Sequence, residues 1–164
     1  MERSKEELLE EDIIYEKYIL KYIARLPDNV QRIWEYSFME MMNNAIDHSQ
    51  AEKVRLFICQ TYVDTVILLI DDGIGIFRKI KEYYHYNSLD DAVNELFKGK
   101  LTTDRKNHSG EGIFFTSRML DSFAAISDGK IFTHDKYSEM INNLGDINVL
   151  RQWKDNRGTI IFMR

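Results

Sequence analysis

The chain has little cysteine, little proline and no long apolar run, and each shortage excludes something. One cysteine, Cys59, among 164 residues cannot close an internal disulfide or build a cysteine-based zinc site, which suits a reducing compartment and leaves a buried thiol as the expected state. A single proline, Pro27, excludes collagen-like and proline-rich disordered classes. No uncharged stretch reaches the roughly 18 to 20 apolar residues of a membrane helix. The acidic start MERSKEELLEED is unlike a signal peptide, so a cytoplasmic location without membrane contact is expected. Positive charge is also short. A net charge of -5 and a pI near 5.4 speak against a nucleic-acid surface, which is normally basic.

What remains is the composition of one globular domain, 44% hydrophobic and 30% charged, in a chain long enough to enclose its own core. Residues 5 to 26 place Leu8, Leu9, Ile13, Ile14, Tyr18, Ile19, Tyr22, Ile23 and Leu26 at helical spacing until Pro27 ends the run. The chain thus divides into an N-terminal helix, residues 1–29, and a body, residues 30–164. The helix's wide apolar stripe suits either core packing or contact with a protein partner or second copy, as in a homodimer. Asp28 can cap the next helix, in which Val30, Ile33, Trp34, Phe38, Met41, Met42, Ala45 and Ile46 keep the 3, 4 spacing.

KVRLFICQ (53 to 60) and TVILLI (65 to 70) are predicted strands, the second buried on both faces. Ser88 and Asp91 form a capping box for a helix through Phe97. A polar stretch from Lys98 to Gly110 reads as a long loop, of the kind that is either functional or mobile. Four cations, Lys98, Lys100, Arg105 and Lys106, stand there against one acid, Asp104, either to meet an anion or to solvate the loop. Ile113 to Phe123 reads as a further helix, Asp128-Gly129 as a hairpin turn, and GTIIFM as a last strand. The expected fold is a two-layer α/β sandwich with a mixed sheet.

Three clusters can carry chemistry. Glu40, Asn44 and Asp47 share a helical stripe beside the apolar one, with His48 following. The carboxylate and the amide, one turn apart, can orient a water and give an oxygen ligand to Mg²⁺; a solvated polar face fits the same spacing. Asp71-Asp72-Gly73-Ile74-Gly75-Ile76 follows the buried strand, where a tight turn lets backbone approach a ligand and a carboxylate can accept from an exocyclic amine. A plain strand-to-loop turn is the alternative. Gly110-Glu111-Gly112 precedes a helix whose amides and dipole favour phosphate. It is neither a Rossmann fingerprint nor a P-loop.

In order, spacing and context the three clusters resemble the GHKL ATPases, the superfamily of gyrase, MutL and the histidine kinases. That resemblance covers about residues 30 to 164 and implies the Bergerat fold, with helices on one face of a mostly antiparallel sheet, and ATP with Mg²⁺ as ligands. Glu40-Met-Met-Asn-Asn44-Ala45 looks like the N box, implying Glu40 as the water-activating base and Asn44 as the Mg²⁺ ligand. Asp71 to Gly75 looks like the first glycine box, implying that Asp71 binds the adenine amine. Gly110-Glu111-Gly112-Ile113 looks like the second, closing over the phosphates. The loop between them would be the lid, with Lys100 reaching a phosphate, and Gly158-Thr159 is similar to the family's terminal Gly-Thr beside adenine. Asp47, Gly73 and Ile76 complete the implied nucleotide site.

Phe114 stands where many kinases of this superfamily have another glycine, which implies a stiffer lid hinge. No histidine precedes Asn44, so the phosphoacceptor of a self-contained sensor kinase is missing. The outline is closest to the anti-sigma-factor serine kinases. The resemblance therefore implies an ATPase or a kinase acting on a partner protein, or else an ATP-gated interaction module without turnover.

Overall fold

A computed structural model describes residues 11–98, 112–135 and 157–164. The first helix, α1, spans 11–23. It is α-helical over Glu11–Ile14, widens to a π-helix over Tyr15–Ile19 and closes again over Leu20–Ile23. Ile14, Ile19 and Ile23 are buried in the same core as the body, while Ile13 and Leu20 stay exposed. Helix α2 follows over Asp28–Asn43 and continues as a π-turn over Asn44–His48. Pro27, not Asp28, is its N-cap, and no side-chain cap bond is present. Proline fits there because its extended ψ of 146° turns the chain and its missing N–H costs nothing at a helix start.

The hairpin β1 (Val54–Gln60) and β2 (Thr65–Asp71) matches the strands expected from the sequence. Helix α3, Ile76–Tyr84, was not expected. Phe77 and Ile80 are buried and Tyr84 packs against the core, a 3, 4 spacing that marks one apolar helix face. Helix α4, Leu89–Phe97, opens on the Ser88–Asp91 capping box, with both reciprocal bonds formed. Helix α5, Gly112–Met119, is shorter than the expected run to Phe123. Phe123 lies in β3 (Ser122–Ser127), which turns through Asp128 and Gly129, both at positive φ, into β4 (Lys130–Asp135). Strand β5 is Ile160–Met163.

The described strands form one five-stranded sheet in the order β1-β2-β5-β3-β4. Every pairing in it is antiparallel, where a mixed sheet was expected. One face meets the helices: Ile67, Leu69, Phe123, Ile161 and Met163 join Phe38, Met41, Phe77 and Leu96 in the main core. The opposite face carries Ile70, Ile126 and Ile160 in one buried cluster and Ala124 with Phe162 in another. Cys59 is exposed on β1, because an edge strand leaves its last residues outside both layers; the buried thiol is thereby corrected. Among the described residues no helix is long and apolar enough to cross a membrane. The arrangement is an α+β fold. Its central strands β2 and β5 bring Asp71 beside Thr159 at one end of the sheet, where the Asp71 amide donates to the Thr159 carbonyl at 3.0 Å.

Candidate functional site

A cavity opens at that end, between the sheet, α2, α3 and α5. Its floor is Asp71, only 5% exposed. The Oδ1 of Asp71 accepts from the Gly73 amide at 2.9 Å and from the Thr159 amide at 3.2 Å. Burial drives the pKa of this carboxyl up to about 6; the amide bonds and the Thr159 hydroxyl pull the other way, and Asp72 next door adds a small upward push. Desolvation wins because no cation pairs with the group among these causes. The result is an ionised acceptor at neutral pH, held at a fixed angle in a largely apolar cleft.

The turn around it needs its glycines. Gly75 has φ +86°, and a Cβ there would stand 2.5 Å from Ser127 Oγ. Gly158 has φ +110°, and its Cβ would stand 2.1 Å from the Asp71 carbonyl oxygen, a backbone contact that no side-chain shift relieves. Thr159 also ties the floor to α3, since its Oγ1 accepts from the Ile76 amide at 3.1 Å. Arg78 of α3 pairs with Asp128 in the β3–β4 turn, pinning the same corner from outside.

The helical rim is built differently. At Asn44 the α2 helix loosens into its π-turn, a feature that often re-aims side chains at functional sites. Asn44 Nδ2 donates to the Glu40 carbonyl at 2.9 Å. Only the nitrogen can donate, so this bond leaves Oδ1 as the amide atom offered to a ligand. One turn earlier, the Glu40 carboxylate lies against Gly112 at the start of α5, where a Cβ would come within 2.0 Å of Oε2. Rim and floor are clasped together by Ser49, whose carbonyl accepts from the Ile74 amide at 2.8 Å. A Cβ on Gly73 would stand 2.1 Å from that carbonyl oxygen.

Of the residues singled out from the sequence, Glu40, Asn44, Asp71, Gly75, Ile76, Gly112, Ile113 and Thr159 all line this one cavity. Asp47 and Gly73 are not among its lining residues; Gly73 instead makes the close approach to Ser49. Lys100, Gly110 and Glu111 lie outside the described residues, as do Arg105 and Lys106. Sequence reasoning missed Lys79, which lines the cavity from α3, because the helix itself was missed. Ser49 was missed too, and no local pattern marks it.

The donor set suits a hard cation held lightly. Among the described residues no group of three or more His, Cys, Asp or Glu could cage a metal, and Mg²⁺ needs none, since it keeps waters and takes one or two protein oxygens plus substrate phosphates. Asn44 Oδ1, left over from the bond to the Glu40 carbonyl, is an oxygen of the type that could serve there. No protein-family model matches the chain, and the search of curated proteins returns no match.

Proposed function

We propose that this chain is an ATP-binding domain of the GHKL type, with the Bergerat fold, that hydrolyses ATP or passes its terminal phosphoryl group to a protein partner in the manner of the anti-sigma-factor kinases. One observation carries the reading. Three clusters separated by about 30 to 40 residues in sequence, Glu40 with Asn44, Asp71 with Gly75, and Gly112 with Ile113, converge with Thr159 on a single cavity.

Each part has a chemical use in that reading. The buried Asp71 carboxylate accepts the exocyclic amine of adenine; guanine would present a carbonyl oxygen to it and be repelled. The apolar walls, Leu69, Ile76, Ile80 and Ile161, receive the base plane. Asn44 would hold Mg²⁺, which neutralises phosphate charge when bound. Glu40 takes a proton from the attacking water or from a partner's hydroxyl, the two cases differing only in which oxygen is the nucleophile. Gly112 puts the first amides of α5 at the phosphates.

Thermal unfolding with ATP, ADP and GTP, each with and without Mg²⁺, tests the reading. A ligand that binds only the folded state adds about 2.7 kcal/mol at a hundredfold excess over Kd. ATP and ADP are expected to raise the midpoint, ATP more so with Mg²⁺, and GTP is expected to leave it unchanged. No shift with any nucleotide would refute the reading. Tight ATP binding without phosphate release would instead identify an ATP-gated interaction module.

A further inference from the structure

We propose that Lys79 is the cation inside the cavity that reads the nucleotide's phosphates, so that the described pocket itself favours nucleotides over nucleosides. The proposal rests on the ATP reading above and deepens it. Of the described residues lining the cavity, Glu40 and Asp71 carry negative charge and Lys79 is the one lysine or arginine. Two fixed carboxylates alone would repel a polyphosphate.

The position of the amine supports this use. Lys79 rises from the first turn of α3, whose backbone starts at Gly75 on the floor, and its Nζ donates to the His48 carbonyl at 2.7 Å. His48 ends the π-turn that begins with Asn44, so the ammonium is held at the end of the helix segment that carries the metal-binding amide. An ammonium has three donors, and a single backbone carbonyl uses one. The carbonyl is a neutral anchor: it positions the charge without cancelling it, as a salt bridge would. Asp47 contributes a weaker field that favours the charged form, against a larger opposing effect of burial. Partial desolvation strengthens whatever charge-assisted bond the amine makes to an anion.

The test is calorimetric titration of adenosine, ADP and Mg-ATP against the full chain, wild type, Lys79→Met and Lys79→Arg. Lys79→Met keeps the apolar stem and removes the charge. It is expected to bind adenosine within about twofold of wild type while losing roughly 10- to 100-fold for ADP and ATP, the effect of one charge-assisted hydrogen bond. Lys79→Arg is expected to recover most of the loss. Unchanged adenosine binding by Lys79→Met also certifies that the variant is folded. Equal weakening of adenosine and ATP would overturn the proposal and make Lys79 a structural tie to His48, as would unchanged binding of all three ligands. If wild type binds adenosine but shows no preference for ADP or ATP, the phosphate role fails and the base site stands. If wild type binds none of them, the nucleotide reading itself fails.

Discussion

The floor and the rim of the cavity are built by opposite means. At the floor, Asp71 is locked by main-chain donors, the amides of Gly73 and Thr159, inside two central strands and three glycine-dependent contacts. At the rim, Glu40 and Asn44 stand on a helix that changes pitch between them. Glu40 is placed by what it touches on α5, a separate element. In the proposed reading the difference separates two tasks. A recognition group works best when it cannot move, because no ordering entropy is then lost on binding. A catalytic group can be completed by a neighbouring element when substrate arrives. Loss of the Glu40 carboxylate should therefore spare binding and damage chemistry, while damage at the floor should weaken binding first.

The largest expected effect breaks the rim alone. Glu40→Gln keeps the shape and removes the proposed base, so single-turnover phosphate release at saturating Mg-ATP should slow by about 10²- to 10⁴-fold with ATP affinity held. Equal release from both proteins would remove Glu40 from the chemistry.

Next comes a change of opposite sign at the floor. The folded-state pKa of Asp71 is raised from 3.8 to about 6, so its contribution to stability is full below about pH 4 and is lost as pH rises through 6. Above that range the fold carries a costly buried charge. Asp71→Asn keeps an oxygen for the two amides and removes the charge, and should stabilise the free protein near neutral pH by up to about 3 kcal/mol, at 1.36 kcal/mol per pH unit. Urea unfolding at pH 7 and pH 4 measures it: the gain should shrink at the lower pH.

The same titration sharpens the comparison in wild type. Lowering pH from about 7 to 5 protonates Asp71 and should weaken ATP about tenfold, while GTP gains relative to ATP because a protonated carboxyl can donate to the guanine carbonyl. A pH-independent ATP to GTP ratio would contradict this.

The smallest effect belongs to the adjacent residue. Asp72 points away from the cavity, and its Oδ1 accepts from the amides of Glu52 and Lys53 at 3.0 and 2.9 Å. Asp72→Ala should cost about 1 kcal/mol of stability and leave ATP affinity within twofold by titration. Two neighbouring aspartates of identical chemistry would thus differ entirely in role.

Much of this was legible in the sequence, and the gaps have physical reasons. The hairpin strands, the Ser88 capping box and the turn at Asp128-Gly129 rest on local signals, namely alternating and continuous apolar runs, a reciprocal cap and an Asp-Gly pair, so they read directly. Helix α3 did not, because it is short and only Phe77, Ile80 and Tyr84 carry its period. Phe123 was assigned to a helix because a short apolar run has no period of its own to separate strand from helix. The π-turn at Asn44 has no sequence signature at all. The candidate site was legible where motif residues follow one another, as at Asp71 to Gly75. It was not legible where tertiary proximity decides, as between Lys79 and His48, which are 31 positions apart.

The central claim is that the floor carboxylate recognises adenine. Equilibrium titration of Mg-ATP against wild type and Asp71→Asn at about pH 8, well above the Asp71 pKa, tests it most directly. Wild type should bind, and the variant should bind roughly tenfold to more than a hundredfold more weakly, the effect of one charge-assisted hydrogen bond, despite being the more stable protein. Equal affinity in the two proteins would contradict it.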